Sequence, residues 1–349
     1  MRICSLASTG SVEGFWAGVF AEVTVLKFTG DYGPLLPGAK IGETHRLGAV
    51  ETWTVETNDG GGQLEVHTFR PAASAGASFP GSKAPAEPAG VVLVHGTLVT
   101  DSLYWPFART LSVLLGRPVH TYNRRGRGHS APQPPGYSVD TEIADLQQVM
   151  EQCGSTDVVA HSYGGFVALQ AARQVKINRL VTYDAAVSLS GNLSSRWRPE
   201  LEEAVTSGQL DHAWAHLVQG LGTAGPISYL PMGALRALSV LSARTRLGLE
   251  MRSLLPTAVT EMRAVLDADA HLNDFMKLST PTLMLSGGWS PSYFAETGRM
   301  LAGAVPAITF AVVPLQFHEG PLRPGKRLAS RVARFLSGNL VEEESGLAT

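Results

Sequence analysis

The sequence predicts an α/β fold in which helices cover both faces of a doubly wound, mostly parallel sheet. Short apolar runs without polar alternation recur along the chain, as expected for strands that are buried on both faces. Helical patterns separate nearly all of these runs, and right-handed crossovers place such helices on both faces of one sheet. A chain of 349 residues, of which 44% are hydrophobic and 17% charged, can bury a core of this size.

The elements follow one another in a consistent order. Residues 1–48 show no clean period and are expected to form an irregular N-terminal extension without an assigned function. Two alternating segments, 51–57 and 63–69, flank a glycine-rich turn and predict a β-hairpin. Residues 71–90 are almost entirely Ala, Pro, Ser and Gly, a composition typical of a flexible surface linker.

The remaining runs predict the parallel strands and the helices between them. The strands are expected at residues 91–94, 118–122, 157–160, 179–183, 281–285 and 308–313. The helices are expected at residues 103–115, 139–152, 166–175 and 326–336. Nearly a hundred residues separate two of the strands, which is too long for one crossover. We therefore expect the core to comprise residues 49–189 and 277–338, an inserted helical cap to occupy 190–276, and a tail to follow at 339–349.

Composition excludes several classes of protein. The formal net charge of −2 argues against a nucleic-acid partner. Cys4 and Cys153 lie far apart and have no paired metal-type spacing, so neither a disulfide framework nor a zinc site is expected.

The amino-terminal apolar stretch raises the question of export. Residues 1–28 are fairly apolar and carry Arg2, as secretory signals do, but Glu13 and Glu22 interrupt the run. No run of about eighteen uninterrupted apolar residues appears, which argues against a membrane span. We expect a soluble, cytoplasmic protein, with secretion as the alternative.

Ser162 is the candidate nucleophile. It lies in the segment 160–165 (AHSYGG), between a predicted strand and an apolar helix, which is the setting of a nucleophile elbow. The sharp turn needs small residues two before and two after the serine, and Ala160 and Gly164 stand there. The alternative interpretation of such a segment is a simple packing turn.

Two backbone N–H groups are candidate oxyanion donors. Tyr163 begins the helix behind the serine, where N–H groups point outward. The second donor is expected in the segment 95–98 (HGTL) after the first parallel strand, with Thr97 as the candidate and Leu98 in reserve. An ordinary strand-ending turn is the alternative for this segment.

His318 is the candidate base, because a serine hydroxyl becomes a strong nucleophile only when an imidazole takes its proton. It follows the last predicted strand, at the sheet edge that reaches Ser162. His161 is expected to be packing or a pocket wall. The histidines expected to be ordinary surface or core residues are His45, His67, His120, His212, His216 and His271.

Asp184 is the candidate for the acid that orients His318. The usual position is the loop after the strand at 281–285, but the segment 286–292 (SGGWSPS) contains no carboxylate. Asp184 ends the preceding strand, at the carboxyl edge of the sheet, and Glu319 and Asp274 are its rivals. The basic, glycine-rich segment 123–130 lacks the ending of a phosphate loop and is interpreted as a structural turn.

Over residues 51–336 the chain resembles the α/β-hydrolase superfamily, through His95-Gly96, the turn at 123–130, the segment 160–165 and His318. Tyr183-Asp184 resembles members whose acid lies at the end of the preceding strand. The resemblance implies a catalytic triad, an oxyanion hole and a cap domain. It also admits enzymes with an aspartate nucleophile, which Ser162 disfavours.

The expected function is a serine hydrolase that cleaves a small-molecule carboxylic ester or thioester through an acyl-enzyme on Ser162, without a metal or cofactor. An acyltransferase, cyclase or lactonase on the same fold is the first alternative, and a noncatalytic ligand-binding homologue is the second. Oligomeric state and natural acyl group leave no readable pattern. The cap residues that are candidates for an acyl pocket are Trp197, Trp214, Leu217, Leu221, Tyr229, Leu230, Leu235 and Leu238.

Overall fold

The computed structural model describes residues 50–71 and 88–339. The predicted extension (1–48), nearly all of the predicted linker (71–90) and all but the first residue of the predicted tail (339–349) lie outside the described residues. The strands are β1 (Val50–Glu56), β2 (Gln63–Phe69), β3 (Gly90–Val94), β4 (Val119–Tyr122), β5 (Ser155–His161), β6 (Arg179–Tyr183), β7 (Thr282–Gly287) and β8 (Ile308–Val313).

All eight strands form one sheet in the order β1-β2-β4-β3-β5-β6-β7-β8. β1 and β2 are the predicted antiparallel hairpin, and β2 joins the sheet antiparallel to β4. Every other neighbouring pair is parallel. The prediction of a doubly wound, mostly parallel sheet is therefore confirmed, with the hairpin as its antiparallel edge.

Helices cover both faces of this sheet. They are α1 (Trp105–Leu115), α2 (Val139–Gln152), α3 (Tyr163–Ala171), α4 (Arg198–Thr206), α5 (Leu210–Leu221), α6 (Met232–Ser242), α7 (Arg246–Ser253), α8 (Leu255–Asp267), α9 (Leu272–Phe275), α10 (Ser292–Ala304) and α11 (Lys326–Leu336). Leu146 on α2, Phe166 on α3 and Leu301 on α10 belong to one buried apolar cluster. Leu111 on α1 and Val332 on α11 belong to the other. The two clusters are the two layers of core that a helix-covered sheet requires.

Two helix starts differ from the prediction. The helix expected at 103–115 opens with a 3-10 turn at Asp101–Tyr104 and becomes α-helical at Trp105. The helix expected at 166–175 already begins at Tyr163 and ends at Ala171. Apolar periodicity did not locate this start, because α3 is buried all round and its first residue is set by the sharp turn at Ser162.

The segment between β6 and β7 is helical, as the sequence predicts for residues 190–276. It contains α4 to α9 and a 3-10 turn at Gly225–Tyr229. Leu217, Leu255 and Phe275 are buried in the same apolar cluster as the α2–α3 face of the sheet. Among the described helices, none is long and apolar enough to cross a membrane.

Candidate active site

Ser162 lies at a strained turn between β5 and α3. Its backbone has φ 55° and ψ −122°, a conformation that non-glycine residues rarely adopt. Gly164 makes the turn possible, because a Cβ atom there would lie 2.5 Å from the carbonyl oxygen of Val94 and 2.6 Å from that of His95. The end of β3 is thus packed directly against the first turn of α3. Ser162 is 8% exposed, so its hydroxyl lies in a largely desolvated site.

His318 and Asp184 lie beside this serine. His318 Nε2 is 3.2 Å from Ser162 Oγ, and His318 Nδ1 is 3.1 Å from Asp184 Oδ2. Asp184 is 1% exposed. The His318 ring stacks on Phe294 of α10, with ring centroids 5.0 Å apart and planes 11° apart. The structure therefore brings together the three candidates in the hydrogen-bonded order that a serine triad requires.

The end of β7 and the loop after it, which lacks a carboxylate, supply donors to Asp184 instead. The Gly287 N–H donates to Asp184 Oδ1 at 3.1 Å, and the Ser290 hydroxyl donates to Oδ2 at 2.6 Å. Of the rival acids, Asp274 caps α9 by accepting a bond from the His271 N–H at 2.7 Å. Within the described part of the chain, the imidazole hydrogen bonds of His318 are those to Ser162 and Asp184.

The segment 95–98 lies against the nucleophile. A Cβ atom on Gly96 would lie 3.0 Å from Ser162 Cβ, and Leu98 has a φ of 57°. Tyr163 is the first residue of α3, at the helix end whose N–H groups carry partial positive charge. Thr97 and Tyr163 thus flank Ser162 in the chain's fold, as expected for oxyanion donors, and that role stays a prediction.

A buried ionic cluster supports the segment 95–98 from behind. The Arg124 guanidinium donates to the carbonyl oxygens of His95 and Gly96, at 3.1 and 3.0 Å. Arg124 also pairs with Glu142 at 2.7 Å and with Glu261 at 2.9 Å. These side chains are fully buried. The segment 123–130 that contains Arg124 is therefore structural, in agreement with the sequence interpretation.

Glu261, like Glu142, is a carboxylate of this cluster that sequence reasoning missed. It lies on α8, pairs with Arg127 at 2.6 Å and accepts a hydrogen bond from the Thr97 hydroxyl. Burial raises the pKa of Glu261, but Arg124 and Arg127 outweigh burial and hold that pKa below its usual value. The signal was present, because Glu261 stands in the apolar stripe of an amphipathic helix, where a carboxylate requires a buried partner.

His161 connects the two sides of the site. Its Nε2 lies 2.9 Å from the carbonyl oxygen of His318, so this nitrogen carries the proton and donates. Its Nδ1 then accepts from the Tyr104 hydroxyl at 2.5 Å, and that hydroxyl accepts from the Gly96 N–H at 3.1 Å. Burial lowers the pKa of His161 well below its usual value, with His318 adding to the effect. A neutral His161 is thus a buried bridge between segment 95–98 and the loop of His318.

The candidate pocket residues of the inserted segment do not share one environment. Trp214, Leu217 and Leu235 are buried in the apolar core, whereas Tyr229 is 85% exposed. Trp197 packs against Gly220. The buried members contribute to packing, and Tyr229 faces solvent.

Comparisons with known proteins agree with this fold. The model of the alpha/beta hydrolase family matches residues 91–329. A curated relative, the sn-1-specific diacylglycerol lipase ABHD11 of Danio rerio, is 33% identical over 104 residues. That match covers 29% of this chain and spans 32% of the length of the relative.

Solved structures show the same fold at lower identity. An alpha/beta hydrolase from Sphaerobacter thermophilus has a TM-score of 0.63 at 23% identity, covering 81% of this chain and 100% of that one. The enol-lactonase of Burkholderia xenovorans has a TM-score of 0.57 at 19% identity, and the match covers 81% of this chain and 99% of that one. A bromoperoxidase from Bacillus anthracis has a TM-score of 0.57 at 20% identity, and the match covers 82% of this chain and 100% of that one.

Proposed function

The chain belongs to the alpha/beta hydrolase family, and on that premise we propose that it is a serine hydrolase that cleaves a carboxylic ester or thioester. The observation that carries the proposal is the hydrogen-bonded series Ser162, His318 and Asp184, with separations of 3.2 and 3.1 Å. A noncatalytic homologue would not need His318 and Asp184 to face the serine, so these distances disfavour that alternative.

The mechanism begins with proton transfer from Ser162 Oγ to His318 Nε2 as the oxygen attacks the acyl carbonyl. Asp184 accepts the hydrogen bond from Nδ1–H and stabilises the imidazolium that forms. The backbone N–H groups of Tyr163 and Thr97 stabilise the oxyanion, and each such donor contributes about 10²–10³ in rate. His318 then gives its proton to the leaving alcohol or thiol, and an acyl-enzyme remains.

Water completes the cycle by attacking the acyl-enzyme. His318 now takes a proton from the water, and the collapse of the second tetrahedral intermediate returns that proton to Ser162 Oγ. The carboxylic acid leaves, and the free enzyme is restored. An ester substrate is further supported by the diacylglycerol lipase among the relatives, and a lactone is an internal ester that the same steps would open.

Covalent labelling tests the nucleophile. Wild-type protein, Ser162→Ala and Ser112→Ala are treated with a fluorophosphonate, and the adduct is located by intact and peptide mass spectrometry. Ser112 is a matched control, because it is a fully buried serine on α1. We expect one adduct, on Ser162, in wild type and in Ser112→Ala but not in Ser162→Ala. A folded wild-type protein that takes no label would remove the main support for a hydrolase.

A substrate panel then identifies the acyl class. Hydrolysis of p-nitrophenyl esters, thioesters and lactones is measured with wild type and Ser162→Ala. Added alcohols and amines distinguish an acyltransferase, which would yield the acylated acceptor in place of the free acid.

A further inference from the structure

Part of the inserted helical segment carries an unusual charge distribution. Residues 212–249 contain no Asp or Glu, although the whole chain contains 30 acidic residues. The same stretch contains Arg236, Arg244 and Arg246. Asp211 pairs with Arg236 at 3.1 Å. Among the described residues, the Arg244 and Arg246 side chains form no hydrogen bond or ion pair, and both residues are exposed.

The outward face of α6 in this stretch is apolar. Ala234, Ala237, Val240 and Leu241 are exposed and follow one another at the three- and four-residue spacing of one helix face. Val240 is 53% and Leu241 48% exposed. The opposite face of α6 is buried through Leu235. Helix α6 is thus apolar on both faces, although only one of them is covered.

Helix α7 begins beside the end of α6. Gly248 packs against the backbone carbonyl of Ser242, so the start of α7 lies against the end of α6. The next residue, Leu249, is 57% exposed. We call Val240, Leu241, Leu249, Arg244 and Arg246 together the α6–α7 surface. It combines three exposed aliphatic side chains with two guanidinium groups at one helix junction.

Exposed aromatic residues precede α6 and His318 in the chain. Tyr229 ends the 3-10 turn that precedes α6. Gly225 of that turn faces the Phe317 ring, which an added Cβ would approach to 3.3 Å. Phe317 precedes His318 and contacts Trp289, with ring centroids 4.9 Å apart.

We propose that the α6–α7 surface docks on a lipid bilayer that contains anionic headgroups. The aliphatic side chains would enter the interfacial region, and the two arginines would bind lipid phosphates. Each arginine near an anionic bilayer strengthens binding by about fivefold. This docking is peripheral and independent of the chemistry at Ser162.

A second copy of the chain fits this surface less well. A two-fold symmetric dimer places the same surface of both copies face to face. Arg244 and Arg246 would then face the same arginines of the other copy, and residues 232–253, which form α6, α7 and the turn between them, contain four arginines but one carboxylate, Glu250. Charge complementarity therefore favours an anionic partner.

Vesicle co-sedimentation tests the proposal. The full chain is mixed with vesicles of phosphatidylcholine alone or of phosphatidylcholine with phosphatidylglycerol, at low and high salt. We expect binding to the anionic vesicles, which weakens as salt rises. The Arg244→Glu/Arg246→Glu variant and the Val240→Asp/Leu241→Asp variant should each bind at least tenfold more weakly. Ser162→Ala should bind like wild type, which separates this proposal from the proposed hydrolase activity.

Matched controls come from helices that pack elsewhere. Val113 on α1 is 63% exposed, and Arg327 on α11 is exposed. Val113→Asp and Arg327→Glu should bind vesicles like wild type, and circular dichroism melting verifies that every variant is folded. The proposal is overturned by a folded wild type that does not bind anionic vesicles, or by equal losses in the controls. A dimer in sedimentation equilibrium that Leu241→Asp dissociates would assign the surface to a second copy instead.

Discussion

Asp184 accepts hydrogen bonds from three directions. The donors are the His318 imidazole, the Gly287 N–H and the Ser290 hydroxyl. These donors hold the buried carboxylate in a fixed position. Its orientation therefore selects the imidazole tautomer in which Nδ1 carries the proton and Nε2 is free to accept from Ser162.

Asp184→Asn tests this role. The amide retains the shape of the side chain but lacks the carboxylate charge, and its NH2 group can donate to Nδ1. The imidazole then carries its proton on Nε2, which can no longer accept from Ser162. We expect kcat to fall by about 10³–10⁴, as for other triad acids, with the melting temperature little changed. Steady-state kinetics on the best ester of the panel provides the measurement.

Asp274→Asn is the matched control, because Asp274 is a carboxylate that caps α9. It should keep kcat within about twofold of wild type. If Asp184→Asn also retained kcat within a factor of ten, another group would have to orient His318, and Glu319 would be the next candidate.

At the scale of elements, α8 of the inserted segment is bound to the segment 95–98 of the core. Glu261 accepts from the Thr97 hydroxyl and pairs with Arg124 and Arg127. Removing one partner of such a buried pair costs about 3–5 kcal/mol. Substitution of Thr97 is therefore the better test of the contact between α8 and segment 95–98, because the loss of its hydroxyl leaves both ion pairs of Glu261 intact.

Thr97→Val should lower kcat about tenfold at nearly constant KM. The isosteric valine removes the hydrogen bond that holds Thr97, so its backbone N–H points less accurately at the developing oxyanion. Thr97→Ser keeps the hydroxyl and should restore most of the rate. A loss of thermal stability without a change in kcat would assign the bond a structural role only.

At the scale of the whole molecule, buried histidines couple stability to pH. Burial lowers the pKa of His95 and His161 well below the usual value, and lowers that of His120 to about 4. The unfolded chain binds protons at these positions near pH 6.5, whereas the folded chain does not. Stability is therefore lost as pH falls below about 6.5.

His67 acts in the opposite direction. Burial lowers its pKa, but the hydrogen bond to Asp101, at 2.7 Å, outweighs burial and raises the pKa above the usual value. Its contribution to stability is complete at acid pH and is lost as pH rises through that raised pKa. It therefore does not cancel the loss that the other histidines cause on the acid side.

In His120→Gln the unfolding free energy should fall less than in wild type as the pH is lowered. Wild-type His120 must stay neutral down to about pH 4, and this accounts for about 2 kcal/mol of the stability lost between about pH 6.5 and pH 4.5. Urea unfolding at a series of pH values measures the difference. His216→Gln is the control, because His216 is a half-buried residue on α5. The unfolding free energy of this variant should depend on pH as that of wild type does. If the unfolding free energy of His120→Gln depended on pH as strongly as that of wild type, the titration of His120 would not contribute to the loss of stability.

The sequence by itself determined the strands, the turn at Ser162 and the triad candidates. Buried parallel strands require apolar runs, and the turn requires small residues at Ala160 and Gly164, so both leave local patterns. Parallel strands end at one edge of the sheet, which is why Asp184 and His318 were assigned to one site. The absence of a carboxylate from segment 286–292 excluded the usual position of the acid.

Only the tertiary structure decided how the site is supported. The pairs between Arg127 and Glu261, and between His161 and the carbonyl of His318, join residues 134 and 157 positions apart. The apolar stripe of α8 marks Glu261 as a buried carboxylate, but neither pair leaves a local pattern that identifies both partners, because each partner comes from a distant element. Strand order and the first residue of α3 were set in the same way, by packing between distant segments rather than by local preference.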